Sequence, residues 1–141
     1  MFATVQDLLS NYTEAVHERD AEKFVSGYAP DVRLFDCFGQ WEYTGIEAWK
    51  AAVMEWFGGM EQEDESMRAE VESQAGKEYE DSAHVHCMIS FSAIDKSGRQ
   101  LRKIKNRLTF VPEKPDGSWQ IVHEHSSVPV RMEAGKAIFG R

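Results

Sequence analysis

Asp116–Pro129 reads DGSWQIVHEHSSVP, and the fold is decided there. Pro115-Asp-Gly117 is a turn, because proline presets its backbone angle and glycine accepts a positive one. From Trp119 to Ser127 the chain runs at the period of a strand. One parity carries Trp119, Ile121, His123 and His125, and the other carries Val122, Glu124 and Ser126. Working backwards, Leu101–Val111, His84–Ile94 and Met67–Ala75 alternate or run apolar in the same way. Asp95-Lys-Ser-Gly98 closes a second hairpin. Four long strands with short turns between them form an antiparallel meander.

The first half has a different period. Thr4 and Asp7 stand at capping-box spacing, with Asp in place of the usual Glu. Val5, Leu8, Leu9, Tyr12 and Val16 then recur at helical spacing, and this helix ends near Arg19. Asp20 caps a short second helix carrying Phe24, Val25 and Tyr28, which Pro30 closes. Val32–Phe38 reads as a strand that Gly39 turns toward Gln40–Tyr43. Thr44-Gly-Ile-Glu47 is a capping box for a third helix, with Ile46, Trp49, Val53, Trp56, Phe57 and Met60 on one face and Gly58-Gly59 at its end. Helices followed by long strands define an α+β domain. The predicted architecture is a cone-shaped, curved antiparallel sheet wrapped around three N-terminal helices. The domain spans residues 1–130, and 131–141 form a loose tail or a partner contact.

The chain has 141 residues, 42% hydrophobic and 28% charged, in the range of one globular domain. Its net charge of −8 argues against nucleic acid or anionic membranes as partners. No apolar run approaches the roughly 20 residues of a membrane span, and the N-terminus does not read as a leader, so a cytoplasmic location is expected. Cys37 and Cys87 are read as free buried thiols. No Cys-x-x-Cys or His-x-x-x-His spacing suggests a metal, and no cofactor is expected. The run Glu61–Glu65 reads as a solvated loop. Val85, Cys87, Ile89 and Phe91 fall on one side of a strand, with Met88 and Ile94 on the other. Both faces of the sheet therefore call for cover, and a homodimer is expected.

A twisted sheet of long strands curls, and three short helices leave its wide end open for a small ligand. Trp41, Trp49 and Trp56 load that region with aromatic surface. The ending Trp119-x-x-Val-His-x-His-x-Ser127, together with FDCFGQWEYTGIEAW at Phe35–Trp49, resembles the nuclear transport factor 2-like superfamily. This superfamily includes SnoaL-like polyketide cyclases, steroid Δ-isomerases and the association domain of calcium/calmodulin-dependent protein kinase II. The resemblance covers nearly the whole chain, up to about Pro129, and implies the cone fold. It does not by itself imply one activity.

By that resemblance Asp36 matches the isomerase general base. A carboxylate in an apolar pocket has a raised pKa and becomes a useful base; the alternative is a turn-forming Asp. Tyr12 and Tyr28 match the isomerase's pocket tyrosines, one of which donates to the developing enolate oxygen. The isomerase's second donor, a protonated Asp, has no counterpart in KIKNRLTFV at 103–111, where Asn106 is the nearest polar residue. Its third tyrosine falls near Val53. Arg107 matches a pocket arginine of the kinase association domain, whose other two fall at Ile89 and Ser126. If Val122, Glu124 and Ser126 face inward, Glu124 pairs with Arg107. If the other parity holds, His123 and His125 face the pocket with Trp119 and Ile121. The expected ligand contacts are Tyr28, Trp49, Val53, Trp56, Arg107, Glu124 and Phe24, with Asp36 and Tyr12 catalytic. Two functions follow: an isomerase, dehydratase or cyclase for a small, largely apolar molecule, or a non-catalytic small-acid-binding or dimerisation module using Arg107.

Overall fold

A computed structural model describes residues 1–140; Arg141, the end of the expected tail, lies outside the described residues. Helix α1 spans Val5–Glu18, with the Thr4 hydroxyl accepting from Asp7 N and the Asp7 carboxylate accepting from Thr4 N. Arg19 ends it in the left-handed region at φ 55°. The stripe predicted for α1 is the one that is buried. Helix α2 is shorter than predicted, Ala21–Val25 capped by Asp20. Tyr28 and Pro30 belong instead to strand β1, Tyr28–Phe35. Proline is admitted there because the first half of β1 pairs irregularly with its neighbour between Tyr28 and Arg33.

Strand β2, Tyr43–Thr44, pairs with β1 through Arg33–Thr44 and Leu34–Tyr43. That pairing removes Thr44 from the capping role the sequence gives it. Helix α3, Ile46–Gln62, is capped by Gly45 without any side-chain bond. Gly45 has φ 89°, which only glycine adopts without strain. Nor do Gly58 and Gly59 end α3. Buried Phe57 and Met60 hold the helix on through them, and it stops where Asp64 turns left-handed at φ 56°. Glu65 is no solvated loop residue: it is buried and takes a bidentate pair from Arg102 at 3.0 and 2.7 Å.

Strands β3 (Ser66–Glu78), β4 (Ala83–Ile94), β5 (Gln100–Glu113) and β6 (Gln120–Ser127) form the expected meander. The six-stranded sheet runs β2-β1-β6-β5-β4-β3 and is antiparallel except for β1 beside β6. It curves over the helices without closing. The last strand pair, β7 (Val130–Arg131) and β8 (Lys136–Ala137), makes a small hairpin in the stretch expected to be a loose tail or a partner contact. Two contacts fasten it: Lys105 N donates to the Phe139 carbonyl at 2.8 Å, and the Phe139 ring stacks on Phe38 with centroids 5.5 Å apart. No helix is long and apolar enough to cross a membrane among the described residues.

An irregularity in β6 sets which of its side chains face the helices. Val111 pairs with His123, but the next residue, Pro112, pairs with Ile121. Val122 is an extra residue, a β-bulge. It reverses the alternation within the strand, so Trp119 and Ile121 before it and Glu124 and Ser126 after it all point inward and are buried.

Candidate active site

The open end of the cone holds a cavity of about 510 Å³. Helix α1 contributes Tyr12, and α3 contributes Trp49, Val53 and Trp56. The loop after β1 adds Asp36 and Phe38, and β2 adds Tyr43. The sheet supplies Phe91, Asn106, Leu108, Glu124 and Ser126 among others. Six aromatic rings thus enclose a floor holding two carboxyl groups, with Glu55 exposed at the rim. No Lys, Arg or His lines the cavity among the described residues.

Asp36 follows β1 directly and is held by β6. Ser126 Oγ donates to Asp36 Oδ1 at 3.0 Å and accepts from Cys37 N at 2.8 Å. Burial raises the Asp36 pKa, while the Ser126 hydroxyl and the Phe38 backbone N–H partly offset that rise. Glu124 stands two residues before Ser126 on the same face. Its Oε1 accepts from the Tyr28 hydroxyl at 2.5 Å. Burial pushes its carboxyl up to about 8, the Asp36 charge adds to the rise, and the Tyr28 hydrogen bond opposes it. These surroundings favour the protonated form of Glu124. Tyr12 is buried, and no hydrogen bond to protein holds its hydroxyl among the described residues. Burial, with Glu124 and Asp36 nearby, raises its pKa well above the ordinary tyrosine value, so it stays a donor.

The other expected residues divide. Trp49, Val53 and Trp56 form the wall supplied by α3. Phe24 is one layer behind: 1% exposed, it packs against Tyr12, Tyr28, Trp49, Trp56 and Phe57 with ring centroids 4.8–6.3 Å apart. Tyr28 is likewise buried behind the wall, packed edge-on against Trp49 and hydrogen-bonded to Glu124. Arg107 does not pair with Glu124. It follows Asn106 on β5 and so takes the opposite face, exposed to solvent, with Nε donating to Ser127 Oγ at 3.2 Å. Neither histidine of the motif faces inward. His123 Nδ1 donates to the Arg33 carbonyl at 2.7 Å, a structural bond at the β1–β6 seam, and His125 is exposed against Phe35. Trp41 lies outside the cavity wall, 95% exposed.

Behind the loop 36–42 lies a second, outer groove of about 500 Å³, lined by Arg33, Trp41 and His125 among others, and sharing Asp36, Phe38, Gly39 and Ser126 with the cavity. Sequence reading misses the groove because it depends on how the loop lies. It also misses the acid character of Glu124, whose inward direction depends on the Val122 bulge. The described residues contain no cluster of metal-ligating side chains.

A curved, open sheet wrapped over three helices is the nuclear transport factor 2-like architecture. Within it, the chain belongs to the SnoaL-like domain family, whose model matches residues 5–131. Among solved structures it is similar to an NTF2-like protein of unknown function from Pseudomonas putida KT2440, at 25% identity and TM-score 0.84, covering 96% of this chain and 91% of the other. It is similar in fold to a candidate calcium/calmodulin dependent protein kinase II association domain from Xanthomonas campestris, at 24% identity and TM-score 0.72, covering 87% and 84%. The same holds for Aln2 from a Streptomyces species, at 11% identity and TM-score 0.76, covering 87% and 86%. No curated protein matches the chain.

Proposed function

We propose that this chain is a cofactor-independent enzyme that moves a proton next to the carbonyl of a small, uncharged, largely apolar molecule. The reaction belongs to the isomerase, dehydratase or cyclase class. Asp36 is the general base, and the Tyr12 hydroxyl stabilises the enolate oxygen. The observation that carries this reading is the Asp36 carboxylate on the wall of an aromatic cavity that contains no cation and faces an unengaged tyrosine hydroxyl. Burial makes the carboxylate a better base, and the missing cation leaves it available to a substrate proton. A carboxylic-acid ligand would meet Asp36 and find no positive partner, since Arg107 is on the other side of the sheet. Two free thiols fit a reducing compartment, consistent with a cytoplasmic place of action.

Deuterium incorporation from heavy water into an enolisable aromatic ketone such as 2-acetylnaphthalene tests the reading. The wild type should exchange the methyl protons. Asp36→Asn, which keeps shape and ligand affinity, should lose the exchange by several orders of magnitude. Affinity for benzoate but not for the ketone, with no exchange in either, would sink it.

A further inference from the structure

The cavity contains a second carboxyl group that the base mechanism does not use. Glu124 is 3% exposed, yet it forms part of the cavity wall. Val122 bulges out of β6, and that extra residue lets Glu124 share the inward face with Ile121. A hydroxyl from β1, Tyr28, bonds one of its oxygens, Oε1. Among the described residues no other hydrogen bond holds the Glu124 carboxyl, and no Lys, Arg or His lines the cavity beside it. A buried carboxyl without a cation keeps its proton. With Oε1 accepting from Tyr28, that proton belongs on Oε2, the oxygen left for the cavity.

The two carboxyls also line the same cavity. Asp36 hangs on the Ser126 hydroxyl, and Ser126 is two residues from Glu124 along a strand, roughly 7 Å. The lower-pKa partner is ionised and accepts, and the higher-pKa partner is neutral and donates. Two carboxyls pushed apart in this way take opposite roles in proton transfer. The other titratable groups around Glu124 are Tyr12 from α1, Tyr28 from β1 and Cys87 from β4, with Glu55 of α3 at the rim. Burial holds both tyrosines well above their ordinary value and pushes the Cys87 thiol up to about 11. Burial pushes the Glu124 carboxyl up to about 8.

We propose that Glu124 is a catalytic acid, donating to the carbonyl oxygen while Asp36 takes the α-proton, and that Tyr28 is the residue that positions it. This rests on the reading of Asp36 as base. In the forward step the substrate C–H bond breaks and its proton passes to Asp36. The electron pair forms a C=C bond, and the carbonyl oxygen takes the Glu124 proton to give the enol. Reversal returns one proton to Glu124 and delivers the Asp36 proton to carbon. The substrate class is thereby narrowed to compounds with a neutral hydrogen-bond acceptor at the buried end.

2-Acetylnaphthalene, which carries no ionising group, reads both parts through fluorescence titration between about pH 6 and 10. Wild-type affinity should be flat at low pH and fall about tenfold per pH unit above roughly 8, as the donor is lost. Glu124→Gln keeps an N–H donor and the shape, so the fall should vanish while affinity at neutral pH changes about threefold or less. Its deuterium exchange should slow about 10²-fold. Tyr28→Phe should move the fall to higher pH, because the lost hydroxyl favoured the charged carboxylate; a merely structural tyrosine would not move it. Wild-type affinity flat to pH 10, or a fall that persists in Glu124→Gln, overturns the proposal. pH-dependent binding with no exchange in the wild type would keep Glu124 as a donor to bound ligand and overturn its catalytic role together with the Asp36 base. No binding at any pH overturns both readings.

Discussion

At the scale of single residues, the site depends on two acids that differ in surroundings rather than in kind. Tyr12→Phe removes the unengaged hydroxyl and should slow proton exchange by about 10²–10³-fold, measured by the same deuterium incorporation. Arg107→Ala should leave exchange of an uncharged ketone unchanged, because Arg107 is on the outer face. Glu124 also has a signature in stability. Its folded pKa of about 8 is above the ordinary glutamate value of 4.5. Between these values the folded protein holds a proton that the unfolded chain releases. Stability therefore falls as pH rises through that window, by up to roughly 1.4 kcal/mol per unit, and levels off above the folded value. Glu124→Gln should cancel this slope, so the melting temperature of the variant minus that of the wild type should grow from about pH 5 to 8. A difference that stays constant across this range would refute the buried, protonated state. Asp36, Tyr12, Trp49 and Val53 are legible in the sequence because a helical stripe or a motif fixes their direction. Arg107 and Glu124 are not, since a side chain on a strand is directed by register.

At the scale of elements, register explains most of what the sequence hides. The strand stretches and both hairpin turns follow from period and turn chemistry, and the α1 cap from its box. Where local signals mislead, pairing or packing prevails: Thr44 is claimed by β1, and Gly58-Gly59 are carried through by Phe57 and Met60. In β6 neither strict parity holds, because Val122 adds a residue between Ile121 and His123. Deleting Val122 should restore plain alternation and keep Ile121, Glu124 and Ser126 inward, so the variant should fold and bind the ketone. A folded variant that no longer binds it would show that the bulge shapes the cavity beyond setting the direction of Glu124. The β7–β8 hairpin gives a further test. Most of it is exposed, and the Phe139–Phe38 stack ties it to the cavity wall. Few buried contacts hold it, which is the condition for low-cost local opening. Phe139→Ala should raise both the on-rate and the off-rate of 2-acetylnaphthalene in stopped-flow fluorescence. Unchanged rates would show that the hairpin does not control entry.

For the whole molecule, the cone and its position on three helices follow from the order of the elements and the family motif; the outer surface does not. The row predicted to be apolar, Val85, Cys87, Ile89 and Phe91, is buried inside. The opposite row of β4 carries His84, His86, Met88, Ser90 and Ser92, so it is more polar than an interface of the obligate kind. The homodimer stays a proposal, and sedimentation at high micromolar concentration decides it. A dimer is the expected outcome, and a monomer would count against it.

The loop 36–42 separates two hollows that both touch Asp36. A proton taken from a ligand on one side can therefore be handed to bulk water on the other, without the ligand leaving. With Asp36 as the base, turnover in heavy water should then label the product from solvent rather than carry the substrate's own hydrogen across, and the share of label gained should rise with how quickly that wall leaks.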